Sequence, residues 1–217
     1  MSDPPSHTRM RAAVAPEFRA DRVSALRPEC GRLVASLLSD IAYAEQPADI
    51  IGSLVKPAVY GLTSLLPGLP SSSQARFDGL TDVFRSRIAG ADDKRRAGAE
   101  MLELCRTVVK RDLERDHRTL INNLRSRDVH TEDELASTVA SLAVAGYDST
   151  NSLIGLGLLA LLADRRPVEL FSAKALVQEM TRLLAVVPAV SGLLWVVVCW
   201  EVCRSMRAIM FMSALPP

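Results

Sequence analysis

The carboxylate of Asp148 and the adjacent hydroxyls of Ser149 and Thr150 interrupt the long apolar stretch "LAVAGYDSTNSLIGLGLLALLA". Burying Asp148 is costly unless it finds partners, and Gly146 lowers helix stability by about 1 kcal/mol relative to alanine. A sequence that breaks local rules at one place indicates function or a kink there. Ser149 or Thr150 beside this acid can hold a water and pass on a proton. The alternative is that Ser149 bonds back to the preceding turn while Asp148 faces solvent.

Two pairs of charged residues also have helical spacing. His7 and Arg11 are four residues apart, so they share one helix face. Two cationic donors on one face suit a carboxylate group, although a solvated basic first turn gives the same pattern. Glu179 and Arg182 are three residues apart, a spacing that permits an ion pair. An exposed pair of this kind would contribute little to stability.

A single long helix is predicted to carry Asp148. Thr131 and Glu134 have the spacing of a capping box, so the helix begins there. Apolar residues then recur at helical intervals for more than thirty residues. A helix that is apolar on most sides is buried in an α-rich domain. Gly146 is expected to make it bulge or loosen.

The rest of the chain also reads as helical. Residues 23–41 form an amphipathic stripe, interrupted at Pro28. Asp49 caps the next apolar stretch, in which Pro57 should kink or end a turn. After the loop "PGLPSSS", a charged amphipathic helix runs through Phe77 to Ile88, and longer helices follow. The pattern predicts a mainly α protein.

Composition sets further limits. The 217 residues suffice for one domain with a core. A net charge of +1 gives no electrostatic reason to expect a nucleic-acid partner. The four cysteines lack the spacing of a secreted disulfide framework, and the N-terminus is polar and proline-rich where a signal peptide would be apolar. These features predict a cytoplasmic protein.

The stretches "DPPSHTRMRAAVAPEF", "AGYDST" and "EMTR" occur in an order and spacing that resemble the bacterial cytochrome P-450 family, over residues 3 to about 202. The resemblance implies a mainly α cytochrome P-450-like fold from the C helix to the K helix, with little β structure. It implies a haem b cofactor and monooxygenation of a small organic substrate. The partner would be a ferredoxin or flavin reductase.

The resemblance also implies roles for individual residues. His7 and Arg11 would bind a haem propionate. Ala145 and Gly146 would leave room for dioxygen beside the porphyrin, and Asp148 with Ser149 or Thr150 would relay protons. Glu179 and Arg182 would form an ion pair that supports the fold.

The sequence also departs from the family. A haem-thiolate enzyme needs a cysteine in a Phe/Gly-rich loop, and no "FxxGxHxCxG" occurs here. Cys199 and Cys203 lie in "CWEVC", which lacks the glycines and is a weak metal site. No metal ligand is therefore predicted, and thiolate-ligated haem is not expected. Leu183–Trp200 is at the lower limit for a membrane span, but a helix followed by a strand explains it better.

The last residues, 203–217, match nothing in the family. Reading Ile209–Met212 in the minus-one frame, with common GC-rich codons assumed, gives His-Val-His-Val and a line similar to the family's "GDxVxVSxxAAN". The expected organisation is thus a partial cytochrome P-450-like domain, 1–202, truncated at both ends and followed by a frame-shifted tail. Such a chain is expected to be inactive by itself. The alternative is a non-catalytic helper subunit of a biosynthetic partner enzyme, such as a sugar-transferring one.

Overall fold

The computed structural model describes residues 5–45, 47–114, 119–127 and 131–163, together with Ala175 and Gln178. Every regular element in these ranges is helical, and none of the described residues lies in a strand. The mainly α fold class is confirmed. No helix within these ranges is long and apolar enough to span a membrane.

The α-helices are numbered in chain order. They are α1 Ser6–Val14, α2 Ala20–Ala25, α3 Arg27–Ala42, α4 Lys56–Ser64, α5 Gln74–Arg85, α6 Ala91–Leu113, α7 Leu120–Ser126 and α8 Glu132–Ala163. Short 3-10 turns occupy Ala15–Phe18 and Ser71–Ser73, and a π-helical turn occupies Ile51–Val55.

The chain forms two compact units. The first combines Met1–Glu17 with Thr63–Ala145. In it, α6 packs against both α5 and α7. Phe77 of α5, Cys105 of α6 and Leu124 of α7 are completely buried, so the amphipathic faces of these helices form its apolar core.

The second unit combines Phe18–Leu62 with Gly146–Pro217. In its described part, α3 packs against α2 and against the π-helical turn. Val34 on α3, Leu54 in the turn and Tyr60 on α4 are buried with at most 1% exposure. The amphipathic stripe predicted for residues 23–41 therefore faces a core.

The sequence predicted the entry into α4 well. The carboxylate oxygen Oδ1 of Asp49 accepts hydrogen bonds from the backbone N–H groups of Ile51 (3.1 Å) and Gly52 (3.0 Å). The predicted cap is confirmed. The irregularity expected from Pro57 is the π-helical turn Ile51–Val55, which lies just before this proline. The reason is that proline has no N–H to donate to the preceding turn.

Asp49→Ala is expected to lower the free energy of unfolding by about 1 kcal/mol, because two backbone donors lose their acceptor. Asp40→Ala is the matched control, since Asp40 is an exposed carboxylate on α3; its effect should stay within about 0.5 kcal/mol. Urea unfolding followed by circular dichroism measures both. Equal effects of the two substitutions would contradict the cap.

Two local predictions are wrong. Pro28 does not interrupt a helix; it lies in the first turn of α3, which then continues through Gly31 to Ala42. A proline is tolerated there because first-turn N–H groups have no partner within the helix. Ile88 is not part of an apolar helix face, because α5 ends at Arg85 and the Ile88 side chain is 97% exposed.

Both cysteines of the described ranges, Cys30 and Cys105, are free and buried. Burial raises the pKa of the Cys105 thiol to about 12. At pH 8 the thiolate fraction is then roughly one in ten thousand, and thiolate is the reactive form. Iodoacetamide should therefore leave Cys105 unmodified in the folded chain and modify it in urea, as mass spectrometry of the peptides would show. Rapid labelling in the folded state would contradict this burial.

Candidate functional site

The long helix α8 carries most of the predicted site residues. It runs for 32 residues, from Glu132 to Ala163. At its start the N–H of Thr131 donates to Glu134 Oε2 (3.2 Å), and the N–H of Glu134 donates to Thr131 Oγ1 (3.3 Å). The predicted capping box and the predicted length are both confirmed. Local sequence thus determines where this helix begins.

Two hydroxyls in the middle of α8 bond to carbonyls of the preceding turn. Thr150 donates to the carbonyl oxygen of Gly146 at 2.5 Å, and Ser152 donates to that of Asp148 at 3.0 Å. The helix type does not change at Gly146, so the predicted bulge is wrong. A single glycine costs only about 1 kcal/mol in a helix, and α8 continues through Gly146 without a break.

The acid–alcohol group is partly buried. Asp148 and Ser149 are half-buried, and the carboxylate oxygen Oδ1 of Asp148 is inaccessible to solvent. At least one oxygen of Asp148 is therefore withdrawn from solvent, and the role of the group stays a prediction. Thr150 is 3% exposed, and its hydroxyl hydrogen points to Gly146. Ala145 and Gly146 are half-buried on the same helix.

The basic pair lies on α1. His7 and Arg11 are exposed and one turn apart, and neither side chain bonds to any residue in the described ranges. Arg9, between them in sequence, instead pairs with Glu134 at 2.6 Å. His7 and Arg11 can therefore direct their donors to an external carboxylate. A solvated basic turn would be exposed in the same way, so the role of the pair stays a prediction.

A buried polar cluster fixes the end of α1, and sequence reasoning missed it. Glu17 is 1% exposed. Its Oε1 lies 2.7 Å from Arg127 Nη2, and its Oε2 accepts a hydrogen bond from Asn123 Nδ2 at 3.0 Å. Arg127 Nη1 also donates to the carbonyl oxygen of Ala13 at 2.7 Å. The cluster joins residues more than a hundred positions apart, and no local signal could have found it.

Several predicted features lie outside the described residues. They are the pair Glu179 and Arg182, the cysteines Cys199 and Cys203, the apolar stretch Leu183–Trp200 and the tail 203–217. Their roles, and the domain boundaries at 202 and 203, stay predictions. Among the described residues no group of three or more His, Cys, Asp or Glu side chains could hold a metal ion.

The arrangement of helices is that of the cytochrome P450 fold. CYP105P1 in complex with filipin I matches 78% of this chain and 44% of its own with a TM-score of 0.71 at 26% identity. The LnmA cytochrome P450 hydroxylase from the leinamycin pathway of Streptomyces atroolivaceus matches 86% of this chain and 46% of its own, with a TM-score of 0.67 at 27% identity. The fold defines the class of protein.

Curated relatives agree with the fold. Cytochrome P450 FAS1 of Rhodococcoides fascians is 32% identical over 162 residues, which are 74% of this chain and 41% of the relative. Cytochrome P450 monooxygenase PikC of Streptomyces venezuelae is 33% identical over 180 residues, 75% of this chain and 40% of the relative. No protein-family profile matches the chain. The chain belongs to the cytochrome P450 family and spans less than half the length of these bacterial relatives.

Family membership implies a haem cofactor, and the residues on α1 fit its carboxylate groups. His7 and Arg11 are exposed donors without protein partners in the described ranges, and charge-assisted bonds to carboxylates are the strong ones. The cysteines of those ranges do not fit the iron, because Cys30 and Cys105 are buried, and burial raises the pKa of the Cys105 thiol to about 12. The described part of the chain therefore fits the haem periphery and offers no thiolate.

Proposed function

We propose that this chain carries the haem-propionate contacts and the proton-handling residues of a haem-dependent monooxygenase. The substrate would be a small organic molecule of natural-product metabolism, and electrons would come from a ferredoxin or flavin partner. Relatives described as a monooxygenase and as a leinamycin-pathway hydroxylase support this reaction class. The single observation that carries the proposal is that His7 and Arg11 are exposed on α1 and bond to no residue of the described ranges.

His7 and Arg11 would hold the haem by its propionate. Their side chains leave α1 one turn apart, so both can donate to the two oxygens of one carboxylate. The Glu17–Arg127 cluster supports this role, because Arg127 bonds to the carbonyl of Ala13 near the end of the same helix. A fixed helix end keeps the two donors in one geometry without further cost on binding.

On α8, Asp148 and Ser149 would hold and move protons. Haem, when bound, supplies the activation of dioxygen. Asp148 is half-buried, and an acid in such a place can exchange protons with a neighbouring hydroxyl or water. Thr150 donates its hydroxyl hydrogen to the Gly146 carbonyl, and Ser149 or Thr150 would be the hydroxyl that hands on a proton.

We further propose that the chain by itself does not form thiolate-ligated haem. The described cysteines are both buried, and a raised thiol pKa opposes the thiolate that iron requires. A haem-loaded, reduced and carbon monoxide-treated sample should lack the thiolate-type Soret band. Appearance of that band would overturn this part of the proposal and would direct attention to Cys199 and Cys203.

The haem contact is tested by titrating the chain with haemin and following absorbance. Arg11→Ala should weaken haemin binding by about tenfold or more, since a hydrogen bond to a charged group contributes about 1.5–3 kcal/mol. Arg9→Ala is the matched control on the same helix, because Arg9 is already paired with Glu134, and it should leave the affinity nearly unchanged. Equal effects of both substitutions would contradict the propionate role. Absence of haemin binding in the unaltered chain would favour the helper alternative.

A further inference from the structure

One buried amide in the second unit is not explained by the roles assigned so far. Asn151, on α8, is 8% exposed, and neither its Nδ2 nor its Oδ1 has a hydrogen-bond partner among the described residues. A buried amide without partners lowers the stability of the folded chain. By contrast, Asn122 and Asn123 on α7 donate to Asp112 and Glu17. Asn151 is therefore the exception among the buried or half-buried asparagines of the described ranges.

The position of Asn151 on α8 relates it to Asp148. The two residues are three apart, which places them about 60° from each other around the helix. Asn151 is about 140° from Gly146, so it points to the side away from the small residues predicted to face the haem. Gly155 shares the Asn151 side, and a Cβ on Gly155 would lie 3.6 Å from Ile51 Cδ1. Asn151 is thus on the face directed to the π-helical turn.

We propose that Asn151 is a positioning residue that holds a water beside Asp148. Its amide both donates and accepts, as a bound water requires, and waters in protein interiors typically satisfy buried polar groups that lack protein partners. After Asp148 has passed on its proton, this water gives a proton to Asp148. The water then takes a proton from bulk solvent, so the number of protons balances. The inference rests on the proposed function, in which Asp148 passes on protons. The water would supply Asp148 with protons from the side of α8 opposite Gly146.

The first measurement is made on the unaltered full chain. Water-selective nuclear Overhauser spectroscopy of ¹⁵N-labelled protein should show a cross-peak between the Asn151 side-chain NH₂ and a water of long residence time. The cross-peak should disappear in Asn151→Leu. Absence of any such cross-peak in the unaltered chain would overturn the proposal, whatever the behaviour of the variants.

The second measurement is a double-mutant cycle followed by the urea midpoint. Asn151→Leu should lower the midpoint when Asp148 is present, because the shared water is lost. It should raise the midpoint in the Asp148→Ala background, where an apolar side chain suits the site better than an unpaired amide. Asn122→Leu is the matched control, and it should lower the midpoint equally in both backgrounds. A rise with Asn151→Leu in both backgrounds would overturn the proposal.

The two proposals fail separately. Loss of the haemin effect of Arg11→Ala with an intact coupling between Asn151 and Asp148 would remove the proposed function and leave the hydrated amide. Absence of the coupling with intact haemin binding would remove the role of Asn151 alone. Neither measurement depends on the activity of a haem-loaded enzyme.

Discussion

Replacing Arg127 by alanine is expected to lower the free energy of unfolding by about 3–5 kcal/mol, the range for removing one partner of a buried ion pair. The reason is that the carboxyl group of Glu17, which is 1% exposed, would lose the guanidinium that lies 2.7 Å away. The Ala13 carbonyl would lose its donor in the same substitution. The hydrogen bond from Asn123 to the carboxylate would remain. Urea unfolding measures the loss.

The matched controls separate the buried pair from ordinary surface charges. Arg9→Ala removes the exposed partner of Glu134 and should cost at most about 1 kcal/mol. Arg127→Lys keeps a positive charge and loses the planar fork that reaches both Glu17 and Ala13, so an intermediate loss is expected. A loss with Arg127→Ala no larger than with Arg9→Ala would contradict the structural role of the cluster.

Asp148→Asn is expected to slow product formation by a factor of about 10²–10⁴ in an active enzyme that carries this helix. Such an enzyme can be made by replacing the matching segment of a monooxygenase relative with this one. The substitution keeps size and removes the ability to carry a proton. Haem content should stay unchanged, because Asp148 has no proposed contact with the haem and the proposed contacts of His7 and Arg11 are not altered.

Ser149→Ala should uncouple oxygen consumption from product formation in the same enzyme while haem incorporation stays intact. Ser152→Ala is the matched control, since it removes a hydroxyl from the same helix that donates to the Asp148 carbonyl, and it should leave the coupling nearly unchanged. Oxygen uptake and product are measured side by side. If Ser152→Ala uncouples as strongly as Ser149→Ala, helix distortion rather than proton transfer explains the effect.

The sequence predicted most of the helical structure of this chain. The capping box of Thr131 and Glu134, the cap at Asp49 and the irregularity before Pro57 each depend on atoms within a few residues of one another. Local geometry of this kind is readable from spacing. The stretches "DPPSHTRMRAAVAPEF", "AGYDST" and "EMTR" also predicted the cytochrome P450 family, because their residue types and order are specific when taken together.

Where sequence prediction was wrong, a competing physical effect explains it. Pro28 was expected to interrupt a helix and instead begins α3, since the first turn does not need the missing N–H. Gly146 was expected to make α8 bulge or loosen, and α8 instead runs through it as a continuous helix, since one glycine costs only about 1 kcal/mol. Ile88 fits the apolar spacing, yet the helix ends before it.

Tertiary structure alone decided which polar side chains are buried and which residues they pair with. Glu17 finds Arg127 and Asn123 across more than a hundred residues, and Asn151 is buried without a partner among the described residues. His7 and Arg11 remain free of such partners while Arg9 pairs with Glu134. Spacing along a helix determines which residues share a face. The partners of those residues lie on segments that folding brings close, and no local sequence pattern encodes that proximity.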